Sequence, residues 1–361
     1  MVRLASCALA LVLVAVVGAH VDWWQTPTSQ AAPAAVLDAD DCGSTAAPPA
    51  TYQHVVWIFE ENHNFEYNPK DPESGIVGNP AAPFLNDLAK RCTYSTAFRD
   101  TQPDMHSEPH YLTALSGSNC NTGYGTTGSG CITDDKSPSH HVLKTPNLLS
   151  QLDESGRTWV SYQESAPSNC FKSTYNTGSH DIYAPKHDPA VFFTNLAKSC
   201  AEQDVPFPTW TPGTSPAGRL ADDIRANRLP DFSIITPNLQ NDMHISTGGN
   251  AKKGDAWLAA YLPLILGSDS YRNGQTAVFV LWDETYNVHT TTQPNLMIAP
   301  TAHPGAISTP LNNIAVLRAT QKMLGLVPGH PYLGCASGRP PANVGRCPAE
   351  STAHLRRDAH I

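Results

Sequence analysis

The run Thr276-Ala277-Val278-Phe279-Val280-Leu281-Trp282-Asp283-Glu284 decides the fold. Its apolar residues, Ala277 to Trp282, follow one another without polar alternation and stop on two carboxylates. A short β-branched run of this kind reads as a strand buried on both faces, as in the parallel sheet of an α/β protein. In such sheets ligands bind outside the carboxyl ends of the strands. Two adjacent acids at that edge repel each other and lose solvation unless a cation sits between them. The plainer alternative is that they cap the next turn or stay in water.

Two further strands end the same way. His54-Val55-Val56-Trp57-Ile58-Phe59 runs into Glu60-Glu61-Asn62, and Asp231-Phe232-Ser233-Ile234-Ile235 runs, a turn later, into Asn241-Asp242-Met243-His244. Between them, helices are expected over Pro83–Arg91, Ser107–Gly117, Pro146–Gly156, Asp188–Ser199, Arg219–Asn227, Gly254–Leu266 and Leu311–Leu324, with short strands at 94–98, 158–162 and 295–299. This βα alternation predicts an α/β fold with a mostly parallel central sheet flanked by helices.

The chain has 361 residues, only 15% of them charged, with 31 prolines and 24 glycines. That suits one large domain with irregular loops and excludes a coiled coil or solenoid. A net charge of −9 without a basic run argues against nucleic acid as the partner. Arg3 precedes an apolar stretch, Leu4–Ala19, that ends in small residues, so residues 1–19 read as a secretory signal peptide, slightly short for a membrane span, with an uncleaved anchor as the alternative. No later segment is long enough to span a bilayer. Beyond Cys7 in the leader, eight cysteines without a CxxC pair read as disulfides of an exported protein, with Cys120–Cys131 and Cys335–Cys347 spaced as local staples. Residues 20–50 read as a linker-like lead-in and 335–361 as a cysteine-bearing tail.

Ser107 stands where a helix N-cap belongs, with Pro109 in the first turn and Gly117 as the stop. It either caps the helix or serves as a nucleophile where free N–H groups and the helix dipole favour a phosphate. If the three strands are parallel neighbours, Glu61, Asn62, Asp242, His244, Asp283 and Glu284 meet at one rim. Oxygen ligands with one imidazole suit Ca²⁺, Mg²⁺, Mn²⁺ or Zn²⁺ without choosing among them. A metal beside a serine activates its hydroxyl and screens an anionic substrate, which points to phosphoryl hydrolysis. His140-His141, His289 and His303 read as solvent-facing, with His289, which follows the paired acids, alternatively a late ligand.

At these residues the chain resembles the bacterial phosphoesterase family of secreted acid phosphatases and phospholipase C-type enzymes, most of all the mycobacterial-type secreted acid phosphatases. The matching pieces run in family order: Glu60-Glu61-Asn62-His63, Ala82-Pro83-Phe84-Leu85, Ser107-Glu108-Pro109 with Tyr111-Leu112, Lys186-His187, Leu229-Pro230-Asp231-Phe232-Ser233, Asn241-Asp242-Met243-His244, Gly254-Asp255-Ala256-Trp257-Leu258 and Trp282-Asp283-Glu284. The resemblance implies a phosphoesterase domain over 51–334 with an alkaline-phosphatase-like fold. It further implies Ser107 as nucleophile, Glu61, Asn62, Asp283 and Glu284 as ligands of a divalent metal, and Asp242, His244, Lys186 and His187 as further ligands or phosphate contacts. The chain departs from the family pattern at His110, where an asparagine is usual, at Met105-His106, where His-Pro is usual, and at Asn313, where a histidine is usual. His110 either donates to the phosphate in place of that asparagine or lies on the surface. The expected activity is a secreted metal-dependent phosphatase acting on monoesters of small molecules or lipid headgroups. The alternatives are a phospholipase C-type diesterase and a phosphate-binding protein without turnover.

Overall fold

In a computed structural model of the chain, residues 41–45, 47–103, 105–118, 132–286, 290–334 and 355–361 are described. The leader, most of the lead-in, His289 and the Cys120–Cys131 and Cys335–Cys347 staples lie outside them. The central sheet has eight strands: β1 (His54–Glu60), β2 (Thr93–Ser95), β3 (Trp159–Glu164), β4 (Asp204–Phe207), β5 (Phe232–Thr236), β6 (Thr276–Trp282), β7 (Asn295–Ile298) and β8 (Gly305–Ile307). Their spatial order is β8-β2-β7-β6-β1-β5-β3-β4, and β6 through β4 are mutually parallel. Only β7 runs antiparallel to both of its neighbours. The α/β architecture with a mostly parallel sheet and flanking helices is as the apolar runs predict.

The helices are α1 (Pro83–Arg91), α2 (Ser107–Ser116), α3 (Leu148–Glu154), α4 (Ala197–Gln203), α5 (Gly218–Arg225), α6 (Ala251–Leu266), α7 (Asp269–Arg272) and α8 (Asn313–Met323). They cover both faces of the sheet, and β1 shows why. Side chains alternate along a strand, so Trp57 reaches Thr320 of α8 through its Nε1 at 3.0 Å and Phe59 packs 4.9 Å from Tyr111 of α2. Glu60 points the other way, towards α6. There Gly254 is required: a Cβ in its place would lie 2.3 Å from Met243 Cγ and 3.0 Å from Glu60 Oε2. Of two neighbouring acids, then, only Glu61 looks towards α2.

Three local expectations change. The helix expected over Asp188–Ser199 is two 3₁₀ turns followed by α4. Leu143 N–H donates to Phe192 C=O and Thr194 N–H to Leu143 C=O, and this strand-like pairing diverts the backbone before a helix can continue. The lead-in is fastened from Asp41 onward, by the Cys42–Cys92 disulfide and an Asp41–Arg91 ion pair at 3.1 Å. The tail returns to the core at its end, where Ala359 and Ile361 are buried.

Candidate active site

The register of the parallel strands builds the site. His54 pairs with Thr276 and Glu60 with Trp282, so β1 and β6 end level and deliver Glu61 and Asp283 side by side. Glu61 N–H then donates to Asp242 C=O at 2.7 Å, which joins the turn after β5 to the same rim. Two non-glycine residues there have left-handed backbone, Asn62 (φ 38°) and Met243 (φ 77°). Such strain persists where surrounding contacts over-determine it, as at functional sites.

Helix α2 brings the serine. Ser107 is not its N-cap, which is His106; Ser107 is the first helical residue, and its side chain makes no capping bond. The reason is that its Oγ turns to the acids instead, donating to Glu61 Oε2 at 3.2 Å and Glu284 Oε1 at 3.3 Å. The Asn62 amide lies 2.9 Å from Glu61 Oε2, 3.1 Å from Asp283 Oδ1 and 3.2 Å from Glu284 Oε1. With its nitrogen towards them it donates to three carboxyls. The three carboxyls thus gather around the Asn62 side chain.

A second cluster adjoins the first through Glu61. Glu61, His187 and His244 offer donor atoms within 4.8 Å of one another. His187 Nε2 lies 3.1 Å from Glu61 Oε1 and Nδ1 3.2 Å from Asp242 Oδ2. Neither contact has hydrogen-bond alignment, so both ring nitrogens and Asp242 Oδ2 remain without a partner. Burial, with Lys186 and His244 nearby, pushes His187 well below the usual imidazole range, and burial and Lys186 take His244 to about 4. Both rings are therefore neutral, as a metal requires.

The electrostatics also call for a cation. Burial first, then mutual repulsion, raises Glu61, and Glu284 is pushed up to about 8 by burial and Asp283. Burial raises Asp242 and Asp283 as well. The nearby fixed cations are engaged elsewhere: Lys186 Nζ pairs with Asp135 Oδ2 at 3.1 Å and His110 with Asp100 at 2.9 Å. Four buried carboxyls without a lysine or arginine partner among the described residues stay charged only with a counter-ion. The residues present thus fit a divalent cation.

His110 is neither on the surface nor free to donate to a ligand. It is buried, its Nδ1 donates to His106 C=O at 2.8 Å and its Nε2 to Asp100 Oδ1 at 2.9 Å. Burial opposes its charge, but the Asp100 carboxylate outweighs this and pushes it up to about 10. With both nitrogens donating, His110 is a fixed imidazolium beside the acids, and its part is played through charge. Asp100 also accepts from the backbone N–H groups of Gln102 and Thr285, so it ties this cation to the segment after Glu284. Asp100→Asn is expected to destabilise the fold by about 3 kcal/mol in denaturant unfolding, as when one partner of a buried pair is removed. A loss under about 1 kcal/mol would mean that His110 is neutral.

Sequence reasoning missed Asp100, Asp135, Tyr111 as a site residue, and His141. Tyr111 donates to Glu61 Oε1 at 2.8 Å and stacks on His187, with ring centroids 5.2 Å apart. His141 does not face solvent freely; its Nδ1 lies 2.5 Å from Glu108 Oε1. Asn313 sits beneath the rim and donates to Trp282 C=O at 3.1 Å, holding the end of β6.

The Phosphoesterase family model matches residues 77–321, about two thirds of the chain. The chain belongs to the Phosphoesterase family. The matched span contains Ser107, Asp283 and Glu284, while Glu61 and Asn62 precede it. Membership makes the chain a hydrolase of phosphoric esters. It is 29% identical over 300 residues to the phosphatidylinositol-3-phosphatase of Mycobacterium tuberculosis, covering 83% of this chain and 84% of that one. It is 28% identical over 188 residues to a probable acid phosphatase of Kluyveromyces lactis, covering 50% of this chain and 39% of the relative, so it spans about two fifths of that yeast protein. Among solved structures it is similar to an alkaline phosphatase superfamily protein from Vibrio parahaemolyticus, at 13% identity and a TM-score of 0.45, covering 79% of this chain and 68% of the other. No helix of the described residues of this phosphoesterase is long and apolar enough to cross a membrane.

Proposed function

We propose that the chain is an exported metal-dependent phosphatase that cleaves phosphate monoesters through a phosphoserine. The observation that carries this reading is Ser107 Oγ, first residue of α2, within 3.3 Å of carboxylates on both Glu61 and Glu284. Glu61, Asn62, Asp283 and Glu284 would hold a divalent cation, with Asp242, His187 and His244 as an adjoining set. When bound, that cation supplies Lewis-acid charge for the serine oxygen and the phosphoryl group.

The protein's own groups do the rest. Ser107 gives its proton to the carboxylate of Glu61 or Glu284, its oxygen attacks phosphorus, and the P–O bond to the leaving group breaks as the departing alkoxide takes a proton from water in the cleft. The Glu108 N–H at the start of α2 and the Lys186 ammonium hold the phosphoryl oxygens once Asp135 gives way. The hydroxide left by that water attacks the phosphoserine, phosphate departs as the bond to Ser107 Oγ breaks, and the carboxyl returns its proton to the serine. The leaving group lies towards an open cleft of about 670 Å³ beside Lys186 and His244, lined also by Lys172, Thr174 and Ser246. Its lining suits a polar alcohol, and the Mycobacterium tuberculosis relative's name places a phosphorylated inositol lipid head among the compounds to try. Export is supported by the leader-like first residues and the Cys42–Cys92 and Cys170–Cys200 disulfides.

The test is turnover of p-nitrophenyl phosphate beside bis(p-nitrophenyl) phosphate, with a divalent metal added. The monoester is expected to be cleaved at least about tenfold faster, since each oxygen of a dianion can find a donor in the site. Faster cleavage of the diester would favour a phospholipase C-type activity instead.

A further inference from the structure

The position a substrate phosphate needs is already taken by a side chain of the protein. Asp135 accepts from Glu108 N–H at the start of α2 through Oδ1 at 3.0 Å, and its Oδ2 lies 3.1 Å from Lys186 Nζ. One carboxylate thus bridges the helix donor and the lysine that would hold phosphoryl oxygens. The strap carrying it is latched to the same helix: Lys136 N–H donates to Glu108 Oε2 at 2.6 Å, and His141 Nδ1 meets Glu108 Oε1. Asp135 itself lines the mouth of the cleft and is 28% exposed, so an incoming anion can reach and replace it.

We propose that Asp135 is an internal anion that occupies the binding site and that substrate must displace from Lys186 and the α2 N-terminus. This rests on the phosphatase reading for its consequence, though not for the contacts themselves. The physics selects by charge. A phosphate monoester dianion carries twice the charge of the carboxylate it replaces, so it gains more from the lysine and the helix end than Asp135 gives up. A phosphodiester or a sulfate monoester carries a single charge and gains no such margin. The cost of lifting Asp135 off Lys186 and the helix end is the same for every anion, so it lowers the affinity for all of them by one factor, and a dianion has the larger gain with which to meet it.

The experiment is calorimetric titration of inorganic phosphate into the full chain and its Asp135→Asn, Lys186→Met and doubly substituted forms. The ratio of diester to monoester turnover is measured alongside. In Asp135→Asn the phosphate dissociation constant is expected to fall about fivefold, and the ratio of diester to monoester kcat/KM to stay within about twofold because the displaced group costs every anion the same. The gain should vanish in the Lys186→Met background, because the contested partner is gone. Phosphate binding unchanged or weakened in Asp135→Asn overturns the proposal, since it would show Asp135 only positioning Lys186. A gain that survives Lys186→Met overturns it too. If Asp135→Asn fails to fold, Asp135→Ala is read in its place with the same expectations. Tighter phosphate binding in a protein that cleaves no monoester would uphold the displaced anion while removing the phosphatase reading, so the two fail separately.

Discussion

Ser107→Ala is expected to remove at least about 10³-fold of monoester turnover while the protein folds and binds phosphate as before, because loss of a nucleophile abolishes the covalent route. The fold should survive because Ser107 contributes no capping bond to α2; its hydroxyl is engaged only with Glu61 and Glu284. Taking away a donor from two buried acids shifts their protonation rather than the packing of Tyr111, Leu112 and Leu115 beneath. Turnover would be followed with p-nitrophenyl phosphate, phosphate binding by calorimetry and folding by thermal melting. A variant that keeps a tenth or more of the activity would remove the serine from the mechanism, whatever becomes of the metal. Water activated by the same carboxylates would then be the nucleophile.

The second large effect is on stability, in the protein stripped of metal. Glu284 sits at about 8 when folded, against an ordinary 4.5, through burial and Asp283. As pH rises through that window the unfolded chain has already released the proton that the folded chain keeps, so stability falls. Burial gives Glu61, Asp242 and Asp283 the same sign. His110, raised to about 10 by Asp100, also contributes stability below 6.5 that is lost as pH rises towards 10. His63, His187 and His244 pull the other way, but only below their ordinary 6.5, where the unfolded chain would take up their protons. Between pH 6.5 and 8.5 the acids and His110 therefore act unopposed. The melting temperature of chelated protein is expected to drop by at least about 5 °C across that interval. Excess divalent metal should restore it at the upper end by neutralising the acids, and should restore turnover with it. A flat or rising profile without metal, or no response to any divalent cation, would mean that the cluster is not built around an ion.

How much of this was legible beforehand follows from where the information lies along the chain. The apolar runs ending on Glu60-Glu61-Asn62 and on Asp283-Glu284 carry their own strand length, burial and polarity, and the pairing of His54 with Thr276 brings their ends level as parallel neighbours. Helix α2 was legible from Pro109, Leu112, Leu115 and Gly117. By contrast, the partner of His110 lies ten residues earlier in a turn without periodicity, and the partner of Lys186 lies 51 residues earlier in a strap. Nothing local marks Asp100 or Asp135 among the other acids of the chain. The interruption of the helix expected after Asp188 comes from pairing with Leu143, a contact that neither segment announces by itself. Propensity describes a segment on its own, and tertiary contacts override it in such places.

The level ends of β1 and β6 also bear on how this protein can change by insertion and deletion. Along a strand, one added residue turns every later side chain to the opposite face. In β1 that would exchange Glu60 with Glu61, sending the acid that meets Ser107 towards Gly254 and α6 and leaving its neighbour in its place one step out of register. The hairpin of Tyr175–Asn176 and Asp181–Tyr183, whose turn is exposed and which joins the body near Cys170, carries no such phase. Length variation among descendants of this chain should accumulate in that hairpin and be purged from the two strands, even though an added apolar residue would leave either strand as hydrophobic as before.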